Sequence, residues 1–375
     1  MTVRDIAVVG GGIGGMAVAI TLAKAGQRVR VFEQAPSLAR IGADINLTPN
    51  AVRALDGLGI ADALRRTAAQ PTHRISRTWD TGEETSRLEM ARVAEDRYGS
   101  PQLTMHRADL LTALQGALPL GSLELGRRLK GLKEFPDQVM LSFDDDRTET
   151  AELVIGADGI HSVVRTAVFG QDQPDFTGVV AFRAIVPTRK LAGLPNLDAF
   201  TKWWGPNPET QIVTFPLNRG EDVFIFATAP QETWLEESWT SPGNVDELRA
   251  IYADFHPEAR ALLDAVDEVL KSALYVRDPL PRWSTGRVTL LGDACHPMMP
   301  FMAQGAAQAI EDAVVLARAL TELDLELPKQ LQAYEAVRHD RTAQIQVGSR
   351  GNSWLKDSGN GDWVYAYDAW TTSLG

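Results

Sequence analysis

The chain has 375 residues, 44% of them hydrophobic and 23% charged, which is the balance of a folded globular protein and excludes a disordered or collagen-like one. Its 37 Lys and Arg stand against 49 Asp and Glu, a formal net charge of -12, so a nucleic-acid partner would have to bind against the field of the whole molecule. The single cysteine, Cys295, rules out an internal disulfide, a redox cysteine pair and a multi-thiolate zinc site, and fits a reducing cytoplasm.

In chain order, the first apolar segment, Ile6 to Val9, is cut short by glycines, which predicts neither a signal peptide nor a membrane span. The opening reads as a βαβ unit. A strand runs to Val9, a glycine cluster follows, an Ala/Leu-rich helix spans about Gly14 to Ala25 and stops at Gly26, and a second strand covers Arg28 to Glu33. Residues 50–70 are helical in period, through Val52, Leu55, Leu58, Ile60 and Leu64. Arg107 to Leu114 begins another helix ahead of strands near 122–143. Ala151 to Ile155 reads as a short buried strand ending at Gly156. From Val179 to about Leu274 the pattern becomes alternating segments with Trp203, Trp204, Phe215, Phe224 and Phe226 and a turn at Asn218-Arg219-Gly220, which predicts an antiparallel sheet of a second domain. Val288 to Leu291 returns to the buried-strand pattern. A loop to Phe301, a helix to about Leu320 and another from about Pro328 to Val347 complete the series. The aromatic tail, with Trp363, Tyr365, Tyr367 and Trp370, suits packing or a subunit contact, and the assembly it allows is a homodimer.

Gly10-Gly11-Gly12-Ile13-Gly14-Gly15 fits GxGxxG at Gly10, Gly12 and Gly15, between a predicted strand and a predicted helix. Such glycines permit a tight turn and close backbone approach to a pyrophosphate, and the helix N-terminus supplies free N–H groups and partial positive charge. Glu33, with Gln34 beside it, ends the next strand, where a carboxylate can accept hydrogen bonds from a ribose and argues against a 2'-phosphate there. This fingerprint does not separate NAD from FAD. The six histidines show no HxxxH or HExxH spacing, and no metal site is expected. His296 suits a core hydrogen-bonding group better than a general base. Cys295 suits a buried small residue better than a covalent flavin link. Gly-x-Ser-x-Gly is absent, which argues against a hydrolase.

Two later segments sharpen the reading. Gly156-Ala157-Asp158-Gly159-Ile160-His161-Ser162 runs on to Arg165, and Gly292-Asp293-Ala294-Cys295-His296-Pro297-Met298 is followed by Pro300 and by Met302-Ala303-Gln304-Gly305-Ala306. With the glycine loop, these make the sequence resemble the single-component FAD-dependent aromatic hydroxylases over nearly the whole chain, closest to the salicylate and 6-hydroxynicotinate hydroxylase branch. The resemblance implies an α/β fold: a Rossmann-like FAD-binding domain of the p-hydroxybenzoate hydroxylase type, with an inserted antiparallel-sheet substrate domain. On this chain the FAD-binding domain would comprise 1–70, 101–178 and 276–320, the substrate domain 71–100 and 179–275, and a C-terminal helix and aromatic tail 321–375. It implies non-covalent FAD, touched by Gly12, Gly14, Gly15, Glu33, Gln34, Arg40, Arg107, Asp158, Asp293, Pro300, Gly305 and Ala306, with Arg165 serving the fold and the nicotinamide donor. Asp293 is suited to a ribityl hydroxyl. Gly305 and Ala306 open a helix whose N-terminal dipole can stabilise negative charge on a reduced flavin.

The activity implied is a monooxygenase: NADH or NADPH reduces FAD, O2 adds to form a C4a-hydroperoxide, and its distal oxygen attacks an electron-rich ring carbon of a small hydroxylated aromatic or N-heteroaromatic acid, from which a carboxylate could leave as CO2. The protein would exclude water, hold the ring and favour the phenolate. The pocket is expected between the flavin-helix loop and the second domain's sheet, at Asn46, Trp204, Thr214, Phe215, Phe226, Met299 and Phe301. Hydroxynicotinate-acting relatives carry His where Asn46 and Phe301 stand and Tyr near Thr214. With Asn at that position neutral hydrogen bonding replaces titration, so phenol activation falls to a pre-ionised substrate or to another group. Two other readings stand beside this one, a flavin oxidase or dehydrogenase and a non-catalytic flavin-binding redox sensor. No nucleic acid or membrane partner is expected.

Overall fold

The computed structural model describes residues 3–38, 44–234, 241–351 and 361–375. β1 (Asp5–Val9) is apolar and buried after its first residue, as a central parallel strand should be. In α1 (Ile13–Lys24) every side chain from Ile13 to Leu22 is buried, so this helix is enclosed on all sides. β2 (Arg28–Glu33), β3 (Ile45–Leu47), α2 (Pro49–Gly57) and α3 (Ala61–Thr67) follow, Pro49 standing in the first turn of its helix, where its missing N–H costs nothing. Then come the hairpin β4 (His73–Thr78) and β5 (Glu84–Glu89), α4 (Ala91–Tyr98), β6 (Leu103–Met105) and α5 (Arg107–Ala117). The middle of the chain holds β7 (Leu123–Leu125), β8 (Leu129–Glu134), β9 (Val139–Phe143), β10 (Thr148–Ala151), β11 (Leu153–Gly156) and α6 (Val163–Phe169). After them come β12 (Asp175–Pro187), β13 (Phe200–Trp204), β14 (Gln211–Leu217), β15 (Asp222–Pro230), α7 (Val245–Ile251), α8 (Pro257–Asp264) and β16 (Leu270–Val276). The chain closes with β17 (Val288–Leu290), α9 (Gly305–Glu322), α10 (Leu327–Arg350) and α11 (Asp362–Tyr365).

Among the described residues the strands form a five-stranded sheet in the order β17-β11-β1-β2-β7, parallel at every pairing, and a seven-stranded sheet in the order β16-β12-β15-β14-β13-β4-β5. A β8-β9-β10 meander and a β3-β6 ribbon complete them. Three features depart from the sequence reading. The segment read as one strand from Ala151 is two: Thr148–Ala151 closes the meander and Leu153–Gly156 joins the parallel sheet. The switch comes at Glu152, whose N–H donates to the Asp5 carbonyl while its Oε2 accepts from the Asp5 N–H at 2.7 Å. The larger sheet is not purely antiparallel, because β4 pairs parallel with β13; side-chain alternation reports faces, not strand direction. And α7 and α8 cover its outer face, their starts capped by Asn244 and His256, where an unbroken run of strands was expected.

The seven-stranded sheet separates two apolar layers. Val180, Phe182, Trp203, Ile212 and Ile225 face α7 and α8. Val179, Ala181, Val213, Phe215, Phe224, Phe226 and Leu274 face the other way, where Met299 and Phe301 of the loop before α9 close on them. The β3-β6 ribbon lies at this junction. Thr104 Oγ1 donates to the Pro216 carbonyl of β14 at 2.6 Å, while Asn50, just past β3, donates to Gln304 at 3.1 Å and Glu311 at 2.6 Å.

Candidate active site

The glycine loop leaves β1 through Gly10, whose φ of +105° and place beside the Ala157 carbonyl, 2.3 Å from where a Cβ would stand, admit no side chain. A Cβ on Gly15 would lie 1.9 Å from the Gly10 carbonyl oxygen, and one on Gly14 would strike Leu291, so both glycines serve close packing of α1. Gly12 differs: a Cβ there meets nothing within 4 Å. The loop is thus filled by protein on one side and open at Gly12, which caps α1 and presents that helix's free N–H groups. Glu33 braces the turn, Oε2 accepting from the Gly11 N–H at 2.6 Å and Oε1 from the Ala35 N–H at 2.8 Å. Gln34 beside it is exposed.

The second wall is the segment from Gly292 to α9. Gly292 donates its N–H to Asp312 Oδ2 at 3.0 Å, and His296 Nε2 meets the same oxygen at 2.5 Å. Asp312 Oδ1 accepts from Arg338 Nε at 2.8 Å, and Glu311 accepts from Arg338, Arg341 and Asn50. This network is buried, and its ionic members Arg338, Glu311 and Asp312 are wholly so. It holds the backbone of the Asp293 turn from behind. Cys295, His296 and Asp312 have donor atoms within 4.8 Å of one another, but both oxygens of Asp312 are already taken, and the Cys295 thiol, raised by burial, packs against the Gly292 carbonyl. The Asp293 carboxyl is raised by burial, against the pull of His296 and Arg107. Arg107 opens α5; burial lowers its pKa, with Asp293 and Asp44 supporting its charge. Pro300 and Phe301 sit in a short turn ending at Ala303, and Gly305 and Ala306 begin the 18-residue α9. The Asp158 carboxylate caps α6, accepting from Ser162 Oγ and from the Val163 and Val164 N–H groups.

An open glycine turn on a helix N-terminus, an acid at the next strand end, and a guanidinium between two carboxyls opposite suit a phosphate-linked dinucleotide with ribityl hydroxyls. A model of the FAD-binding domain family matches residues 4–348. The chain belongs to that family. Among curated relatives it is 41% identical over 371 residues to 6-hydroxynicotinate 3-monooxygenase of Bordetella bronchiseptica, covering 98% of this chain and 96% of that one. It is 35% identical to 3-hydroxybenzoate 6-hydroxylase of Klebsiella oxytoca, covering 92% and 86%. Among solved structures, a salicylate hydroxylase substrate complex superposes with a TM-score of 0.84 at 28% identity, over 98% of this chain and 96% of that one. The α/β fold of the FAD-binding domain family and FAD as cofactor follow.

On the far side of the cofactor walls, the pocket candidates divide. Phe215, Phe226, Met299 and Phe301 come together in one apolar cluster. Trp204 stands on the same face of β13, with the Lys202 ammonium 3.5 Å over its ring. Asn46 is held by Gln102, which donates to its Oδ1 at 2.8 Å. Thr214 is a correction: strand alternation turns it to the opposite face, into a small cavity with Arg77, Thr201, Trp203 and Leu262. Arg40 lies outside the described residues. The tail is largely internal packing, with Trp370 Nε1 donating to the Ala54 carbonyl and Arg341 stacked 3.9 Å over Tyr367, while Trp363 is exposed. His106 and His256, which carried no sequence pattern, are helix caps.

Sequence reasoning missed Asp44 and Arg183. Arg183 sits on the inner face of β12, 5.4 Å from the Phe226 ring, and donates to Ser272 Oγ at 2.5 Å. Burial pulls its pKa down to about 10, opposed by Asp44. Asp44, just before β3, interacts with both Arg183 and Arg107, yet burial prevails and raises its carboxyl to about 6. Neither residue lies in a motif. Arg183 interrupts an apolar strand, a charge where alternation calls for an inward apolar residue, and that is the signal that could have found it.

Proposed function

We propose that this chain hydroxylates a small hydroxylated monocyclic aromatic or N-heteroaromatic acid, with release of CO2 where the attacked carbon bears a carboxylate. The chain is an FAD-dependent, NAD(P)H-using monooxygenase; the ring, the position attacked and the residues that hold the substrate are what we add. The observation that carries the reading is the meeting of the Phe215, Phe226, Met299 and Phe301 cluster with a cationic inner-face residue, Arg183, directly beside the Asp293 to Ala306 wall. Gly12, Gly14, Gly15, Glu33, Gln34, Arg107, Asp158, Asp293, Pro300, Gly305 and Ala306 would hold FAD, Asp158 through the backbone turn it caps. Bound there, FAD would supply hydride acceptance from the nicotinamide and activation of O2. Apolar side chains keep water from the ring, Phe215 and Phe226 among them as part of one sheet face, and Arg183 fixes the acid group so that one ring edge faces the cofactor. We assign the enzyme to the cytoplasm, on its one buried thiol. No helix among the described residues is long and apolar enough to cross a membrane.

The test is NADH or NADPH oxidation by the FAD-loaded protein across 3-hydroxybenzoate, 4-hydroxybenzoate, salicylate and 6-hydroxynicotinate, with product mass. One added oxygen, with or without loss of CO2, is the expected result. Reduction of the flavin by an aromatic compound without nicotinamide would make it an oxidase or dehydrogenase, and bound FAD without turnover of any aromatic acid would make it a sensor.

A further inference from the structure

We propose that Asp44 is the proton acceptor for the ring hydroxyl of the substrate, working between Arg183 of the sheet and Arg107 of the cofactor wall. This rests on the reading above and names the group that activates the substrate of that same site.

β3 is tied to the seven-stranded sheet through Thr104 and Pro216 and to α9 through Asn50 and Gln304, so the residue that enters β3 stands where the two walls meet. Asp44 interacts there with a cation from each side, Arg183 on β12 and Arg107 on α5, the latter backed by Asp293. The neighbouring pocket positions offer no proton chemistry: Asn46 is neutral and engaged with Gln102, Phe301 and Met299 are apolar, and Thr214 faces away. Lys202, further along β13, is a cation beside Trp204 and cannot accept a proton while charged.

Chemistry and charge agree with the placement. The hydroxyl O–H bond breaks, its electron pair stays on the ring oxygen, and the proton passes to a carboxylate oxygen of Asp44, leaving a neutral acid. The net charge between the two arginines is unchanged, because one anion replaces another, and the guanidinium field released by Asp44 acts on the new phenolate. A phenolate pushes electrons to the ring carbons ortho and para to it, which is what an electrophilic oxygen needs. The Asp44 carboxyl, raised to about 6 by burial against Arg183 and Arg107, is an acceptor above that pH and a neutral acid below it, close to the value that serves acid–base exchange near neutrality.

The experiment is an anaerobic ultraviolet difference titration of 4-hydroxybenzoate and 6-hydroxynicotinate bound to the FAD holoenzyme without nicotinamide, from pH 5 to 9, in wild type, Asp44→Asn and Asp44→Glu. Wild type should show the ionised-hydroxyl band growing in with a midpoint near 6, falling tenfold per pH unit below it. Asp44→Asn should move the midpoint up by about two units or more, a loss of ionised ligand of about tenfold or more at pH 7, and Asp44→Glu should restore part of it. A wild-type midpoint at the free ligand's own value, or an unshifted midpoint in Asp44→Asn, overturns the proposal; if Asp44→Asn does not retain FAD, the wild-type and Glu titrations decide. Hydroxylated product from wild type together with such a null titration sinks only the role of Asp44, whereas ligand binding with the expected titration but no oxygenated product sinks the proposed reaction.

Discussion

Two groups of acids and arginines flank the Asp293 loop, one buried and one half-buried, and their carboxyls shift in opposite directions. Behind α9, burial works to raise Glu311 and Asp312, but Arg341 and Arg338 around the first, and His296 and Arg338 around the second, outweigh it, and both carboxyls end below their usual range. In front, Asp44 also has two arginines in its field, yet burial prevails and its carboxyl rises. The difference lies in hydrogen bonds made to the anion. Glu311 accepts from Arg338, Arg341 and Asn50, and Asp312 from Gly292, His296 and Arg338, whereas Asp44 has one backbone hydrogen bond beside the fields of Arg183 and Arg107, and Arg183 spends a donor on Ser272. Proximity of opposite charge does not by itself hold a desolvated carboxyl below its usual range; several directed donors do. The rear cluster is therefore scaffold, and the front one is free to exchange a proton.

Substitutions can break this contrast. Arg338→Met strips counter-charge from two wholly buried carboxylates and should cost about 3–5 kcal/mol, read as a lower urea midpoint at pH 7. A depressed carboxyl such as Asp312 contributes stability that is complete above its unfolded value, near about pH 4, and lost as pH falls through its folded value. The Arg338→Met penalty should accordingly shrink between pH 5 and pH 3; an equal penalty at both would erase the distinction between the clusters. Arg183→Met should change stability by only about 1 kcal/mol, since that guanidinium already bears a burial cost and Asp44, left with Arg107, can take up a proton. It should nevertheless weaken binding of a hydroxybenzoate about tenfold by equilibrium titration of the flavin absorbance. Unchanged affinity with a large stability loss would move Arg183 to the scaffold. Thr214→Val, on the sheet's other face, should leave the same dissociation constant within about twofold; a larger change would return Thr214 to the pocket.

Most of the cofactor half was legible along the chain because its elements are contiguous. A strand, a glycine turn and a helix identify themselves by local spacing, as do Asp293 before α9 and Glu33 at the end of β2. Phe215, Phe226, Met299 and Phe301 were legible as inward apolar residues, since alternation and a loop ahead of a helix reach that far. Thr214 was misplaced by one step of the pleat, the smallest register error and one that reverses a face.

Residue order alone determined that this protein has a glycine turn on a helix N-terminus, an acid at the end of the next strand and an apolar sheet face, because each depends on neighbours within a few residues. Only the tertiary structure decided that Asp44, Arg107 and Arg183, spread over some 140 positions, share one electrostatic field, and that Asp312 stays ionised far into acid while Asp44 exchanges its proton at about pH 6. A carboxyl's affinity for a proton is set by the burial and the donors around it, and those are assembled by packing between distant segments.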